Sequence, residues 1–215
     1  MKEKFYKYSH VCLVIYGIIY CICFAYLEAT VTENFYPIHC FLDEYIPFSE
    51  IFIVPYLLWF LYVPLVFFYF YRTDREQFGK LVLFNCIGMT LFLIISALFP
   101  NGLYLRPIDF PRDNIFTDMV RSLYENDTPT NVLPSLHVYN TLCCHLALCQ
   151  DKRLKEKPAV LFSSKVFSIL VVLSTMFLKQ HSVIDVASAF VMSQAVFHFL
   201  YSYQKSHRTK LVHQT

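Results

Sequence analysis

The sequence predicts an all-α, polytopic membrane protein with six transmembrane helices and both termini in the cytoplasm. Three observations carry this prediction. Of the 215 residues 56% are hydrophobic, only four are glycine and mean hydropathy is +0.45, too apolar for a soluble domain. Six apolar runs approach the ~17–25 residues that cross a bilayer. Basic residues gather in alternate connections between those runs. No uninterrupted polar stretch could form a second domain, so residues 1–215 read as one integral membrane domain.

The first run, 10–27, follows Lys2, Lys4 and Lys7. No small-residue cleavage site comes after it, so it reads as a retained helix rather than a signal peptide. The second, 48–71, contains Pro55 and Pro64, which predict a kink of the kind membrane helices tolerate. The third is 81–99. The connection 100–132 is the only long one, and loops of that length usually have a function. The fourth run, 133–150, is interrupted by His137, Asn140 and His145; the fifth and sixth are 159–178 and 183–203. There is no internal repeat and no low-complexity segment.

Orientation follows from charge. Lys2, Lys4 and Lys7, then Arg72, Arg75 and Lys80, then Lys152, Arg153, Lys155 and Lys157, then Lys205, Arg208 and Lys210 all fall on one side. The other side has no Lys or Arg in its first loop, Arg106, Arg112 and Arg121 in the long connection, and Lys179 in the last. The positive-inside rule makes the first side cytoplasmic. His137 and His181, 44 residues apart, then start their runs at the same depth on the non-cytoplasmic face. Basic residues placed there against the trend need a reason, and binding a lipid phosphate is one.

Two short stretches carry the chemistry, Asn131–His137 and Lys179–Asp185. His181 and Asp185 are four apart and share a face if helical. The carboxylate can then accept from one imidazole nitrogen and leave the other as a nucleophile. Pro134 suits the opening position of a helix, after which unpaired backbone N–H groups can receive an anion. Together the stretches suggest phosphoryl transfer through a histidine.

Other polar residues have plainer readings. His145 and His198 read as interhelical hydrogen bonders. The eight cysteines show no zinc-like spacing; Cys21, Cys23, Cys143 and Cys144 read as small buried residues, and Cys40 stands in a loop. The aromatic content, 18%, reads as lipid-facing surface and interfacial belt rather than a substrate box.

Pro134-Ser135-Leu136-His137 and His181 with Asp185, preceded by Arg106-Pro107, resemble the three motifs of the type 2 phosphatidic acid phosphatase superfamily. The likeness is greatest to its branch of inositolphosphorylceramide and sphingomyelin synthase-like proteins, and it covers roughly Asp43 to Phe190 within a catalytic core of about 43–203. The resemblance implies that His181 is the nucleophile that becomes phosphohistidine and that Asp185 orients it. His137 would protonate the leaving oxygen and then activate the acceptor. Arg106 and Ser135 would bind phosphate, assisted by backbone N–H groups near Leu136 and His137. No metal and no other cofactor is implied. The chain departs from the family pattern at Phe99, where a lysine is usual, at Ser174-Thr175 for a usual Ser-Arg, and at Ser182 and Ser188 for tyrosine and glycine. Lys179, Arg112 or Arg121 could replace the two missing cations.

The expectation is therefore a membrane lipid phosphatase acting on a phosphate monoester or diphosphate, in a bacterial cytoplasmic membrane, with its site on the extracytoplasmic side. Its partners would be the lipid phosphate substrate and membrane lipids, with no nucleic acid. An alcohol acceptor in place of water would make it a headgroup phosphotransferase through the same intermediate. A third reading is a non-catalytic lipid transporter or binding protein of the same fold. The sequence leaves the lipid and the oligomeric state open.

Overall fold

The structure, a computed structural model, describes residues 2–32 and 34–202; Lys205, Arg208 and Lys210 lie outside the described residues. Helix α1 (Lys2–Thr30) leads through a two-residue strand β1 (Tyr36–Pro37) and one turn α2 (Leu42–Tyr45) to a 3-10 turn at Glu50–Phe52, which runs into α3 (Ile53–Thr73). Helix α4 (Arg75–Leu98) follows directly, because Asp74 caps it by accepting from the N–H groups of Glu76 and Gln77. Strand β2 (Asn101–Gly102) pairs in parallel with β1. Helices α5 (Ile115–Asn126), α6 (Leu136–Gln150), α7 (Pro158–Phe177) and α8 (Val183–Phe197) follow, and α8 continues through a π-helical turn at His198–Ser202.

The chain is mostly helical, and five helices are long and apolar enough to cross a membrane: Tyr6–Thr30, Glu50–Thr73, Arg75–Leu98, Pro158–Phe177 and Val183–Tyr201. They correspond to five of the six predicted runs. The fourth differs. Helix α6 has 15 residues, about 22 Å at 1.5 Å per residue, against a hydrocarbon core of about 30 Å. Its start also corrects the expectation for Pro134, since the Ser135 hydroxyl accepts from the Val138 N–H and makes Ser135 the cap, with Pro134 before it. Pro64 lies inside α3, which runs from Ile53 to Thr73.

Helix α6 is the centre of the bundle. It packs against α3, α4, α7 and α8, and Val138, Tyr139, Cys143, Cys144 and Ala147 are fully buried. Gly88 on α4 lies under the Tyr139 ring, where a Cβ would overlap it. The Tyr139 hydroxyl donates to the Phe84 carbonyl (2.8 Å), and Asn85 donates to Asn140 (2.8 Å). Helix α1 packs mainly on α4 by one face. Cys21 and Cys23 consequently face outward, correcting their reading as buried, whereas Cys143 and Cys144 are buried as expected.

The long connection is less open than its length suggests. Helix α5 buries Thr117 and Val120, and Val120 packs with Ile53, Tyr56 and Leu178. Arg112 pairs with the buried Glu50 (3.3 Å), which fastens the connection to the start of α3. At the other end of the bundle Arg153 joins two basic connections, donating to the Thr73 carbonyl (2.7 Å) while paired with Asp151 (2.9 Å).

Candidate active site

Helix α7 ends in a left-handed cap. Lys179 has φ 53°, its N–H reaches the Met176 carbonyl, and the Gln180 N–H reaches the Thr175 carbonyl (3.0 Å each). The His181 N–H shares the Thr175 carbonyl (3.1 Å), so the turn fixes Gln180 and His181 against the end of α7. Helix α8 then opens with a capping box: the Ser182 hydroxyl accepts from the Ile184 N–H, and Asp185 Oδ2 accepts from the Ser182 N–H (2.8 Å). The same Oδ2 lies 3.4 Å from His181 Nδ1. Asp185 is fully buried, and one carboxylate oxygen thus both caps α8 and faces the imidazole.

Asp43, from α2, locks this turn from outside. Its carboxylate accepts from the Ser182 hydroxyl (2.6 Å) and from the N–H groups of Val183 and Cys40 (2.8 Å each). Burial opposes its charge, but these hydrogen bonds together hold its carboxyl below the usual range. The Lys179 ammonium donates to the carbonyls of Asp43 (2.8 Å) and Ile46.

The other stretch is shaped by β2. Asn101 Oδ1 accepts from the N–H groups of Val132 and Leu133 (2.9 Å each), and the Asn101 carbonyl accepts from the Asn131 N–H (2.7 Å). The Ser135 N–H then donates to the Asp185 carbonyl (3.2 Å), which stitches the two stretches together. The next two N–H groups, of Leu136 and His137, open α6 and have no intrahelical acceptor.

The result is a histidine pair. The rings of His137 and His181 have centroids 6.1 Å apart. His137 is wedged between Tyr56 (4.5 Å) and Trp59 (4.4 Å), and its Nε2 is buried without a partner. Because Nδ1 of His181 faces Asp185, Nε2 is the nitrogen left for chemistry. Both rings line a cavity of about 80 Å³, several times the ~10–15 Å³ one water needs. Phe24 of α1 and Phe92 of α4 form its apolar side; Asp127, Asn131 and Gln180 contribute polar groups.

The remaining predicted residues divide. Leu136 lines the cavity. Arg106 stands one residue behind it, donating to Gln180 Oε1 (2.6 Å) and the Asp127 carbonyl (2.7 Å), with its Nε buried and unpartnered. The Ser135 hydroxyl accepts from the Val138 N–H (3.4 Å) and caps α6. Lys179 is not brought to the cavity, and neither Arg112, on Glu50, nor Arg121, paired with Asp118 (2.9 Å) and Asp113 (3.2 Å), supplies a cation there. His145 bonds across helices to Ser164 (2.9 Å). Among the described residues no group of three His, Cys, Asp or Glu side chains converges as a metal site would.

The sequence reading gave no individual role to Asp43, Gln180, Asn131, Trp59 or Glu28, whose carboxylate accepts from Asn131 Nδ2 (3.0 Å). Gln180 carried a signal, lying between two residues already singled out. Asp43 and Glu28 were acids beside apolar runs; their contacts cross more than a hundred residues and leave no local pattern.

Comparison with protein-family models, curated sequences and solved structures finds no match to this chain. What the chain does has to be read from its own residues.

Proposed function

We propose that this chain is an integral membrane lipid phosphatase of the type 2 phosphatidic acid phosphatase kind. It would hydrolyse a lipid phosphate monoester or diphosphate through a phosphohistidine. The observation that carries the reading is the His137–His181 pair on one small cavity, with Asp185 behind His181. His181 Nε2 attacks phosphorus, and the bond from phosphorus to the lipid oxygen breaks. His137 gives that oxygen its proton. In the second step His137 takes a proton from water, whose oxygen displaces His181. Asp185 stabilises the charged imidazole, while Gln180, held by Arg106, and the N–H groups of Leu136 and His137 meet the phosphoryl oxygens. The lipid chain lies along Phe24 and Phe92.

Six spans, with α6 as the short central one, would set both termini on one side, cytoplasmic by its basic residues, and this site on the extracytoplasmic side. The bonds of Arg153 to Thr73 and Asp74 bring the two basic connections, α3–α4 and α6–α7, to one end of the bundle, which supports that arrangement. An alcohol in place of water gives a phosphotransferase by the same steps.

The test is phosphate release from a panel of lipid phosphates by purified protein with EDTA present. Wild-type protein releases phosphate, and His181→Ala lowers the rate by at least about 10³-fold. Equal release from both proteins would refute the phosphohistidine.

A further inference from the structure

Two buried amides line the cavity, each satisfied at one end only. Gln180 is 3% exposed; its Oε1 accepts from Arg106, and its Nε2 has no partner. Asn131 is 5% exposed; its Nδ2 donates to Glu28 Oε1 (3.0 Å), and its Oδ1 has no partner. The charged neighbours fix which end is left over. A guanidinium only donates, so Gln180 turns its oxygen to Arg106 and leaves its N–H groups unpaired. A carboxylate only accepts, so Asn131 turns its amino group to Glu28 and keeps its carbonyl. The Glu28 carboxylate is itself held by the Thr128 hydroxyl, on the cavity rim.

The residues that line the cavity therefore carry one fixed donor and one fixed acceptor, both unpaired and out of water. A bare phosphate answers only the first. It accepts from Gln180, but its oxygens are repelled by the Asn131 carbonyl. The second group calls for an O–H.

We propose that the cavity binds a phosphoryl group and a hydroxyl side by side, the phosphoryl oxygen on Gln180 and the hydroxyl on Asn131. Glu28 is the positioning residue that sets Asn131. This rests on the reading of the histidine pair as a phosphoryl-transfer site and narrows its ligand. The hydroxyl belongs either to the substrate's own headgroup or to a separate acceptor alcohol. In the second case the alcohol oxygen bonds to phosphorus, the phosphorus–nitrogen bond breaks and the proton passes to His137.

Binding separates this inference from turnover. Full-length His181→Ala protein is titrated with glycerol 3-phosphate and with n-propyl phosphate, which lacks the hydroxyls. Glycerol 3-phosphate binds about tenfold more tightly. Adding Glu28→Gln gives Asn131 a neighbour that can donate, so its amide can turn over and the preference falls towards parity. Asn131→Gly removes the acceptor while suiting the backbone at φ 53°, with the same result. Inorganic phosphate is titrated with and without glycerol: tightening by glycerol assigns the hydroxyl to a separate alcohol, and a preference confined to glycerol 3-phosphate assigns it to the substrate. Equal binding of both esters with no effect of glycerol overturns the proposal. So does a preference that survives both substitutions, or no binding of any probe. The preference in His181→Ala protein together with no phosphate release by wild-type protein would sink the catalytic reading alone.

Discussion

A lysine at φ 53° gives up about 1–2 kcal/mol that glycine would not, so Lys179 holds that position for its side chain. Its ammonium spans from the end of α7 to the carbonyls of Asp43 and Ile46, binding the first loop to the turn that presents His181. Burial holds its pKa below the usual lysine value, against the opposing pull of the Asp43 carboxylate. Lys179→Met should lower stability by about 1–3 kcal/mol, read from thermal melting, while KM for a lipid phosphate changes less than about twofold. A KM rise above tenfold would show that the ammonium leaves those carbonyls for the phosphate. The residue types of this site were legible where neighbours in sequence do the work, as in His181 with Asp185. They were not legible where the partner is distant, since nothing in Asn131 alone says that Glu28 orients it.

The elements were read most easily where composition is extreme. Five helices lie on apolar runs long enough to cross a membrane. Helix α4 begins earlier than its apolar run because Asp74 caps a first turn made of polar residues. Helix α5 went unread inside a polar connection, although Ile115, Phe116, Met119, Val120, Leu123 and Tyr124 recur at helical spacing. Helix α6 depends on its neighbours rather than on its own apolarity, and at Gly88 it is closely fitted to α4. Gly88→Ala should cost about 1–3 kcal/mol in thermal unfolding, because the Tyr139 ring must move and its bond to the Phe84 carbonyl with it. An unchanged melting temperature would mean that α6 shifts freely along α4, and the placement of His137 would then owe little to that contact.

Across the whole molecule the site is a junction of distant segments. Asp43 ties α2 to the start of α8, 139 residues later. Its folded pKa lies below the unfolded value, so its stabilisation is present above the unfolded pKa and is lost as pH falls through the folded one. Melting temperature should therefore drop as pH falls below about 4, and Asp43→Asn should flatten that drop while lowering the plateau above it. A pH profile identical in the two proteins would assign acid sensitivity elsewhere. The same connectivity bears on how the protein is made. Residues leave the ribosome in order, and Gln180, His181, Ser182 and Asp185 emerge after the partners they hold. Until they arrive, Arg106 lacks its amide, Asp43 lacks its hydroxyl, and the Ser135 N–H lacks its carbonyl. Any product of interrupted synthesis that stops before α8 carries apolar helices with those groups unanswered, a mark by which membrane quality control can tell it from finished protein.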